Sequence, residues 1–261
     1  MRARLDLWLV DHGLAESRQK AQALVMAGRV RVGGQPARKP GEPVPRDARI
    51  EVLPGPEHVG RGALKLAGAL DAFGLDPAGR VAVDVGASTG GFTEILLARG
   101  AARVYAVDVG RAQLHEKLRA DPRVQVRDRV NARALSPEQV PEPCSLATMD
   151  VSFISVLKVL PALRTVLAPA ADVVVLVKPQ FEVGRARVGR GGLVTDPGLH
   201  RTALAAVARQ AQPLGYAVRA ACASPITGAE GNREFFLHLR EGGAAAPPEA
   251  IDAMMTSAVS A

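Results

Sequence analysis

The stretch from Val81 to Phe92, VAVDVGASTGGF, constrains the fold more than any other part of the chain. Its first five residues are mostly β-branched around one aspartate, which predicts a buried strand. A glycine-rich turn and then a helical pattern follow directly. Strand, glycine turn and helix in this order open a nucleotide-binding α/β sheet, because glycine lets the backbone turn tightly and approach a ligand closely.

The turn lacks the features of two common phosphate-binding loops. Phe92 follows the last glycine where a P-loop has lysine, and the second glycine of the dinucleotide fingerprint is missing. The spacing of Asp84, Gly86, Ser88 and Gly90 instead resembles the first motif of S-adenosylmethionine-dependent methyltransferases. An acidic strand end can then lie near the amino-acid part of the cofactor. The alternative is an ordinary tight turn in a sheet without a ligand.

Composition limits the partners and the compartment. The 261 residues carry a net charge of +7, which favours a polyanionic partner, and nucleic acid fits better than a membrane. No apolar run approaches the roughly 18–20 residues of a spanning helix, and the N-terminus has no signal-peptide core. Two cysteines and five scattered histidines form neither a disulfide framework nor a metal-ligand pattern. We therefore expect a soluble cytoplasmic protein with no structural metal and no membrane partner.

Residues 1–53 predict a small α+β unit. Two short helices come first, and the second begins after Ser17 and ends at Gly28. Val30–Val32, a Gly-Gly turn and a short return strand predict a hairpin, and one more strand follows at Ile50–Val52. The unit holds 10 Lys or Arg against 6 Asp or Glu. The helix face and the hairpin therefore place several cations on one surface, which could bind RNA or be a merely solvated charged face.

The first unit resembles the small RNA-binding domain named after ribosomal small-subunit protein four. The resemblance rests on Arg4-Leu5-Asp6, on Ser17-Arg18-x-x-Ala21 and on residues 28–34, GRVRVGG. It implies an RNA-binding role for this unit. We expect RNA contacts from the cations along these motifs and at the start of the next unit: Arg4, Arg18, Lys20, Arg29, Arg31 and Arg61.

The remaining chain divides into three segments. Residues 54–60 predict a linker, residues 61–241 a second domain, and the Ala/Pro-rich residues 242–261 a tail to which we assign no role. At the start of the second domain, Leu64, Ala67 and Leu70 predict a helix packed on the sheet. Lys65 lies next to this apolar stripe, and the segment alone favours a surface lysine.

From Val81 onward, predicted strands alternate with helices, which indicates a largely parallel sheet. Polar residues follow four of the strands: Asp84, Asp108, Asp150 and Lys178. Ligands bind beyond the carboxyl ends of such strands, so these side chains should share one edge. Asp108 can accept hydrogen bonds from ribose hydroxyls or be a solvated carboxylate, and Asp150 can pair with Lys178 functionally or as a simple salt bridge. The loop 184–192 carries three arginines and is either a mobile lid or a basic loop.

Five motifs follow one another along the chain: residues 61–65 (RGALK), 84–93 (DVGASTGGFT), 150–155 (DVSFIS), 178–182 (KPQFE) and 231–236 (GNREFF). In this order they resemble the TlyA (hemolysin A) family of ribosomal RNA ribose 2′-O-methyltransferases, which is related to the FtsJ-type enzymes. The match runs from residue 1 to about residue 240. We therefore predict an α/β fold, a Rossmann-like S-adenosylmethionine-dependent methyltransferase sheet with a small N-terminal α+β RNA-binding domain.

The resemblance assigns roles to individual residues. It implies a catalytic tetrad of Lys65, Asp150, Lys178 and Glu234. It also implies that S-adenosylmethionine contacts the glycine turn and two later strand ends: Asp84, Gly86, Ala87, Ser88, Thr89, Gly90, Gly91, Phe92, Asp108 and Asp128. Asp128 stands where the family more often has glutamate.

The implied reaction is methyl transfer to a ribose 2′-hydroxyl of ribosomal RNA, at a cytidine in the small subunit, the large subunit or both. We expect ribosomal RNA, within ribosomal subunits, as the partner. The alternatives are a non-catalytic RNA-binding ribosome assembly factor, a membrane-active hemolysin, or a methyltransferase for transfer RNA or a base nitrogen. The sequence determines neither the nucleotide nor the oligomeric state.

The chemistry needs a base near the acceptor hydroxyl, since a ribose hydroxyl is a poor nucleophile. Our hypothesis makes Lys178 the base and Lys65 the neighbouring cation that holds the ribose, with Asp150 and Glu234 orienting the lysines. Burial and a neighbouring cation favour a neutral lysine, whereas carboxylates favour the charged form.

Overall fold

The computed structural model describes residues 2–54 and 58–261. The chain forms two compact units, Met1–Glu57 and His58–Ala261. The predicted linker, 54–60, includes residues 55–57, which lie outside the described residues. Its last residues belong to the second unit, because the Val59 N–H donates to Glu94 Oε2 over 2.9 Å.

Two helices and five short strands make up the described part of the first unit. They are β1 (Arg2–Arg4), α1 (Leu5–Asp11), α2 (Arg18–Met26), β2 (Val30–Val32), β3 (Gln35–Pro36), β4 (Pro43–Pro45) and β5 (Ile50–Val52). The predicted cap is confirmed, since Ser17 Oγ accepts the Lys20 N–H over 3.2 Å. The predicted hairpin is also confirmed, with β2 between β3 and β5. The pairing of β1 with β4 has no signal in the sequence, because each strand is only three residues long.

Asp6 is the polar centre of the first unit. Its side chain is fully buried, and both oxygens accept a hydrogen bond from Arg4, over 3.0 and 2.9 Å. Arg18 Nε and Gln22 Nε2 donate to Oδ2 over 3.0 Å each, and the Leu7 N–H donates to Oδ1 over 3.1 Å. The hydrogen bonds from Arg4 hold the pKa of the Asp6 carboxyl well below its usual range. Asp6 therefore ties β1, α1 and α2 together.

Replacing Asp6 with alanine should destabilise the first unit by about 2–3 kcal/mol at pH 7, because hydrogen bonds to a buried charged group are lost. The Asp6 pKa is lowered on folding, so this stabilisation is complete above the unfolded pKa, about 4, and is lost as the pH falls below it. Hydrogen exchange of peptides from α1 and α2 in the full chain measures the effect, and the difference from wild type should shrink at pH 3.

The matched control is Asp11→Ala, at the exposed end of the same helix. It should leave exchange in α1 and α2 unchanged at either pH. Equal exchange in Asp6→Ala and Asp11→Ala at pH 7 would contradict the stabilising role of Asp6.

The second unit contains seven helices and seven strands. Its helices are α3 (Gly62–Phe73), α4 (Gly91–Ala98), α5 (Glu116–Arg119), α6 (Leu160–Arg164), α7 (Pro179–Glu182), α8 (Pro197–Ala211) and α9 (Pro248–Ser260). Its strands are β6 (Val81–Val85), β7 (Arg103–Asp108), β8 (Val124–Asp128), β9 (Cys144–Met149), β10 (Leu167–Val177), β11 (Tyr216–Ala223) and β12 (Phe235–Glu241). Four short 3₁₀ helices lie in the loops.

All seven strands join one sheet in the order β11-β12-β10-β9-β6-β7-β8. The strands β6 to β10 run parallel, which confirms the predicted parallel core. β12 pairs antiparallel with both of its neighbours. The beginning of β12 therefore lies at the edge where the parallel strands end, and this reversal brings residues from before β12 into the functional edge.

Helices cover both faces of the sheet. One core contains α8 and α9 residues together with β9, β10 and β12 side chains, and the other contains α3 and α4 residues. α3 is rotated relative to the predicted stripe: Leu70 is buried as predicted, but Leu66 and Lys65 are buried too, while Leu64 is 47% exposed. The buried face follows the sheet surface that the helix covers, which the local pattern does not reveal.

The C-terminal segment has structure that the sequence did not predict. The sequence pattern of residues 242–261 predicts no role, but α9 lies within this segment and packs against α8 and β11. Ile251 and Met255 are fully or almost fully buried there. The many alanines of residues 242–261 give a weak apolar pattern. The helix α9 therefore becomes recognisable only once the surface against which it packs is known.

Candidate active site

Four elements bring the predicted catalytic residues to one edge of the sheet. Asp150 follows β9 directly, and Lys178 follows β10, so both lie at the carboxyl ends of neighbouring parallel strands. Glu234 immediately precedes the reversed strand β12, and Lys65 lies in the first turn of α3.

The four side chains form two ion pairs. Lys65 Nζ donates to Glu234 Oε2 over 2.5 Å, and Lys178 Nζ lies 2.5 Å from Asp150 Oδ1. Lys178 Nζ also donates to Ser152 Oγ over 2.8 Å. Lys65 and Lys178 are each 8% exposed, and lysine is rarely so buried without a partner. The predicted ion pair between Asp150 and Lys178 is therefore confirmed. The ion pair between Lys65 and Glu234 brings the α3 lysine to the same site.

A cavity of about 370 Å³ opens onto these ion pairs, and we call it the acceptor cavity. Its lining residues are Lys65, Ser152, Phe153, Lys178, Gln180, Phe181, Val188, Gly192, Gly228, Ala229, Glu230, Asn232 and Glu234. Three catalytic candidates therefore expose polar atoms to one space. The size lies within the range that binds small organic groups.

A second cavity, of about 440 Å³, lies beside Asp150, and we call it the cofactor cavity. Apolar side chains form much of its wall, and a few polar groups converge on it. Its lining residues are Gly86, Ser88, Val107, Asp108, Val109, Gln113, Val130, Asn131, Ala132, Asp150, Val151, Ser152, Phe153, Ile154 and Val159. An apolar pocket with a few convergent polar groups is typical of a cofactor site. Ser152 and Phe153 line both cavities, so the two sites adjoin.

Asp108 lines the cofactor cavity, and its contact with a cofactor stays a prediction. Its Oδ2 accepts the Ser88 N–H over 2.8 Å, and its Oδ1 accepts the Gly110 N–H over 2.7 Å. A carboxylate has about four acceptor positions, so two remain for ribose hydroxyls. The bond to Ser88 also fixes the glycine turn against β7.

The glycine turn approaches Asp150 so closely that a side chain does not fit. A Cβ on Gly86, whose φ is +84°, would lie 2.1 Å from the Asp150 carbonyl oxygen. The other predicted turn residues, Ala87, Ser88, Thr89, Gly91 and Phe92, line a small adjoining cavity of about 110 Å³. Gly90 does not line it, and its φ of +100° makes it the left-handed residue that starts α4. The turn therefore packs directly against the end of β9, and only glycine fits at position 86.

Two predicted cofactor residues are engaged elsewhere. Asp84 is fully buried beneath the turn, where its oxygens accept hydrogen bonds from Thr93 Oγ1 and Thr148 Oγ1 over 2.7 and 2.9 Å. Burial raises the pKa of Asp84 to about 6 despite these bonds. Asp128 Oδ2 accepts from Arg119 and from the Ala112 N–H over 3.1 and 3.2 Å. Neither lines the cofactor cavity, so their contacts with a cofactor stay predictions.

Phe153 is a site residue that the sequence analysis did not single out. It is 89% exposed, its φ of +64° is rare for an aromatic residue, and its ring centroid lies 5.3 Å from that of Phe181. It lines both cavities. An exposed, strained aromatic residue at this position indicates a ligand contact. Its place in the motif DVSFIS is the only sequence signal.

The predicted RNA-binding cations occupy different surroundings. Arg4 and Arg18 are bound to Asp6 but half exposed, and Lys20 is paired with Glu16. Arg29 donates twice to the Leu53 carbonyl, and Arg31 is exposed on β2. Arg61 lies in the second unit and donates to the Thr227 carbonyl over 2.6 Å. RNA contacts of all six stay predictions.

Residues 2–54 and 58–261 meet neither the requirements of a metal site nor those of a membrane-spanning helix. No group of three or more His, Cys, Asp or Glu side chains is placed to hold a metal ion. No helix in these ranges is long and apolar enough to cross a membrane.

The sheet is largely parallel, and one of its edges carries a glycine turn, a strand-end aspartate and two lysine–carboxylate pairs. This is the architecture of a Rossmann-like methyltransferase. The model of the FtsJ-like methyltransferase family matches residues 58–241, and the S4 domain model matches residues 3–50. The chain belongs to the FtsJ-like methyltransferase family, within its TlyA group.

Known proteins resemble this chain over nearly its whole length. The 16S/23S rRNA (cytidine-2′-O)-methyltransferase TlyA of Mycobacterium tuberculosis is 53% identical over 92% of this chain and 90% of its own. Hemolysin A of Brachyspira hyodysenteriae is 38% identical over 90% of this chain and 98% of its own. A solved structure from Streptococcus thermophilus is 39% identical, with a TM-score of 0.74, over 98% of this chain and 95% of that one.

Proposed function

We propose that this protein transfers a methyl group from S-adenosylmethionine to a cytidine ribose 2′-hydroxyl of ribosomal RNA, in the cytoplasm. The observation that carries the proposal is the two lysine–carboxylate pairs with buried lysines, beside a cavity that shares Ser152 and Phe153 with the cavity at the glycine turn. The relationship to the mycobacterial enzyme supports the acceptor nucleotide.

The cofactor cavity fits S-adenosylmethionine in its chemistry. Gly86 and Ser88 line the cofactor cavity with backbone and a small side chain, Asp108 keeps acceptor positions for ribose hydroxyls, and Val109 and Ile154 offer apolar contact. When bound, the cofactor supplies an electrophilic methyl group on a sulfonium sulfur. Asp150 lines the cofactor cavity and pairs with Lys178, which lines the acceptor cavity, so this pair links the space for the methyl donor to the space for the hydroxyl.

The chain's own residues then position the acceptor and remove its proton. Lys65, held by Glu234, is the cation that binds the ribose, and Asp150 orients Lys178. Lys178, in its uncharged form, accepts the hydroxyl proton as the oxygen–methyl bond forms and the sulfur–methyl bond breaks. Holding the reacting atoms in line lowers the barrier as much as the base does. Phe153 offers an exposed ring on which the acceptor nucleoside can stack.

The first unit supplies RNA affinity in this proposal. Arg4 and Arg18 each keep part of a guanidinium exposed while Asp6 holds them in place. Fixed guanidinium groups suit phosphate recognition, because less side-chain freedom is lost on binding.

The test is transfer of labelled methyl from S-adenosylmethionine to small and large ribosomal subunits from cells that lack the gene. We expect label at a ribose, detected as resistance of one phosphodiester bond to alkaline hydrolysis. Label at an alkali-sensitive position would indicate a base, and label only on transfer RNA would change the substrate. Cofactor binding without methyl transfer to any RNA would contradict the proposal.

The same preparation separates the alternatives. A non-catalytic assembly factor predicts RNA binding without equilibrium binding of S-adenosylmethionine. A membrane-active hemolysin predicts dye leakage from liposomes by the pure protein, which the proposed function does not.

A further inference from the structure

The segment 184–194, here called the arginine loop, carries three cations without a part in the proposed reaction. Arg185, Arg187 and Arg190 are exposed, and no acidic residue lies between them. Two single-turn 3₁₀ helices, Arg185–Arg187 and Arg190–Gly192, shape the backbone. The Gly189 N–H donates to the Leu193 carbonyl over 2.8 Å and closes the second turn. The loop is therefore an ordered element rather than an open connection.

One side of the arginine loop forms part of the acceptor cavity. Val188 and Gly192 line that cavity together with Lys65, Lys178 and Glu234. The exposed arginines alternate with these lining residues along one short segment. Each of Arg187 and Arg190 is therefore within two residues of a lining residue of the acceptor cavity, and Arg185 is within three.

Asn232 anchors the loop to the catalytic segment. Its side chain is almost fully buried, its Oδ1 accepts the Val194 N–H over 2.9 Å, and its Nδ2 donates to the Gly192 carbonyl over 3.0 Å. The buried ring of His200 contacts the Val194 carbonyl through Nε2 over 2.7 Å. Asn232 lies two residues before Glu234, so one segment carries both the anchor and a catalytic carboxylate.

Charge balance explains why such a loop is needed. The two catalytic lysines are matched by two carboxylates, so the four residues have no net charge when both lysines are protonated and one negative charge when Lys178 is the uncharged base. Glu230 adds a negative charge on the cavity wall, near Gly192. RNA carries a phosphate on either side of the acceptor ribose, and binding requires cations for them. The three loop arginines exceed Glu230 by two charges, at the place where these phosphates must pass.

We propose that the arginine loop binds the RNA phosphates that flank the acceptor nucleotide, and that Asn232 is the positioning residue that holds the loop there. The inference rests on the proposed function, because it takes RNA as the acceptor. It assigns RNA affinity at the reaction centre to the second unit, in addition to the RNA affinity that the cationic surface of the first unit supplies.

The test compares two full-length triple variants of equal charge. One is Arg185→Ala/Arg187→Ala/Arg190→Ala, and the control is Arg201→Ala/Arg219→Ala/Arg240→Ala, three exposed arginines of α8, β11 and β12. Equilibrium binding of a fluorescent ribosomal RNA hairpin is measured over a range of salt concentrations. Each lost phosphate contact lowers the slope of log K against log salt by about 0.7–0.9.

We expect the loop variant to bind the hairpin about tenfold or more weakly at 0.1 M salt, with a slope reduced by roughly 1.5–2. The control should keep the wild-type slope. Affinity for S-adenosylmethionine should be the same in all three proteins. Equal slopes for the loop variant and the control would overturn the proposal.

A second measurement tests the anchor. Asn232→Ala should raise the KM for RNA about five- to tenfold while the Kd for S-adenosylmethionine stays unchanged. Asn232→Asp keeps the acceptor for Val194 and should lie between alanine and wild type. Loss of affinity for cofactor and RNA together would show a merely structural role, and an unchanged KM would contradict positioning.

The outcome of the hairpin-binding measurement is independent of methyl transfer. Loop-dependent RNA binding by a protein that methylates no RNA would contradict only the proposed function. Methyl transfer with loop-independent binding would contradict only the role of the arginine loop.

Discussion

Lys178→Ala should abolish detectable methyl transfer to ribosomal RNA and leave the affinity for S-adenosylmethionine within a few-fold of wild type. A positioned general base typically contributes about 10²–10⁴-fold to the rate. Lys178 lines the acceptor cavity and not the cofactor cavity, so its removal affects the hydroxyl rather than the methyl donor. Single-turnover transfer and equilibrium cofactor binding measure the two effects separately.

Lys178→Arg separates the two possible roles of this side chain. Arginine keeps a positive charge beside Asp150, but it stays protonated in proteins and cannot accept a proton. If Lys178 is the base, the arginine variant should be as inactive as the alanine variant. If Lys178 only provides charge, the arginine variant should recover a substantial part of the activity.

The matched control is Lys158→Ala, in the 3₁₀ helix Val156–Lys158 on the exposed surface. This lysine lines neither cavity, so its removal should change neither rate nor cofactor affinity. An active Lys178→Ala protein would remove Lys178 from the role of base. A tenfold or larger loss of cofactor affinity would instead place its contribution in cofactor binding.

Gly86→Ala should both destabilise the second unit and abolish tight cofactor binding. The new Cβ would lie 2.1 Å from the Asp150 carbonyl oxygen and 2.9 Å from its carbon, and neither backbone atom can move without shifting β9 or the turn. We expect a loss of about 3 kcal/mol or more in the free energy of unfolding, since forced overpacking adds to the strain of a positive φ. Affinity for S-adenosylmethionine should fall at least about tenfold.

Gly79→Ala isolates the backbone strain from the clash. Gly79 has a φ of +70° in the turn before β6, and a Cβ there would meet no heavy atom within 4 Å. This variant should lose only about 1 kcal/mol and keep wild-type cofactor affinity. Chemical denaturation and equilibrium dialysis of both variants check the prediction. Equal stability losses, or unchanged affinity in Gly86→Ala, would contradict the close approach of the turn to Asp150.

Local patterns were sufficient to predict the parallel part of the sheet. The apolar runs that end at Asp108, Asp150 and Lys178 are strands, and the cap at Ser17 and the turn at Gly86 are where local rules expect them. Alternation, caps and left-handed glycines are properties of a few neighbouring residues. For that reason, the sequence predicted which strand ends share an edge. The four catalytic assignments needed the family resemblance in addition.

Local patterns failed where the relevant neighbour lies far along the chain. The stripe of α3 pointed to Leu64 rather than Lys65 as inward-facing, and residues 242–261 gave no sign of α9. Both depend on the surface against which a helix packs. The exposure of Phe153 and its left-handed backbone likewise have no signal in the local sequence pattern.

The sequence by itself determined the order of the elements, the cationic first unit and the polar ends of the parallel strands. The tertiary structure alone decided that Lys65 meets Glu234, 169 residues later, and that Asn232 holds the arginine loop. The reversal of β12 is the physical reason. It places the residues before this strand, rather than those after it, at the edge where the parallel strands end, and strand direction is a property of long-range pairing.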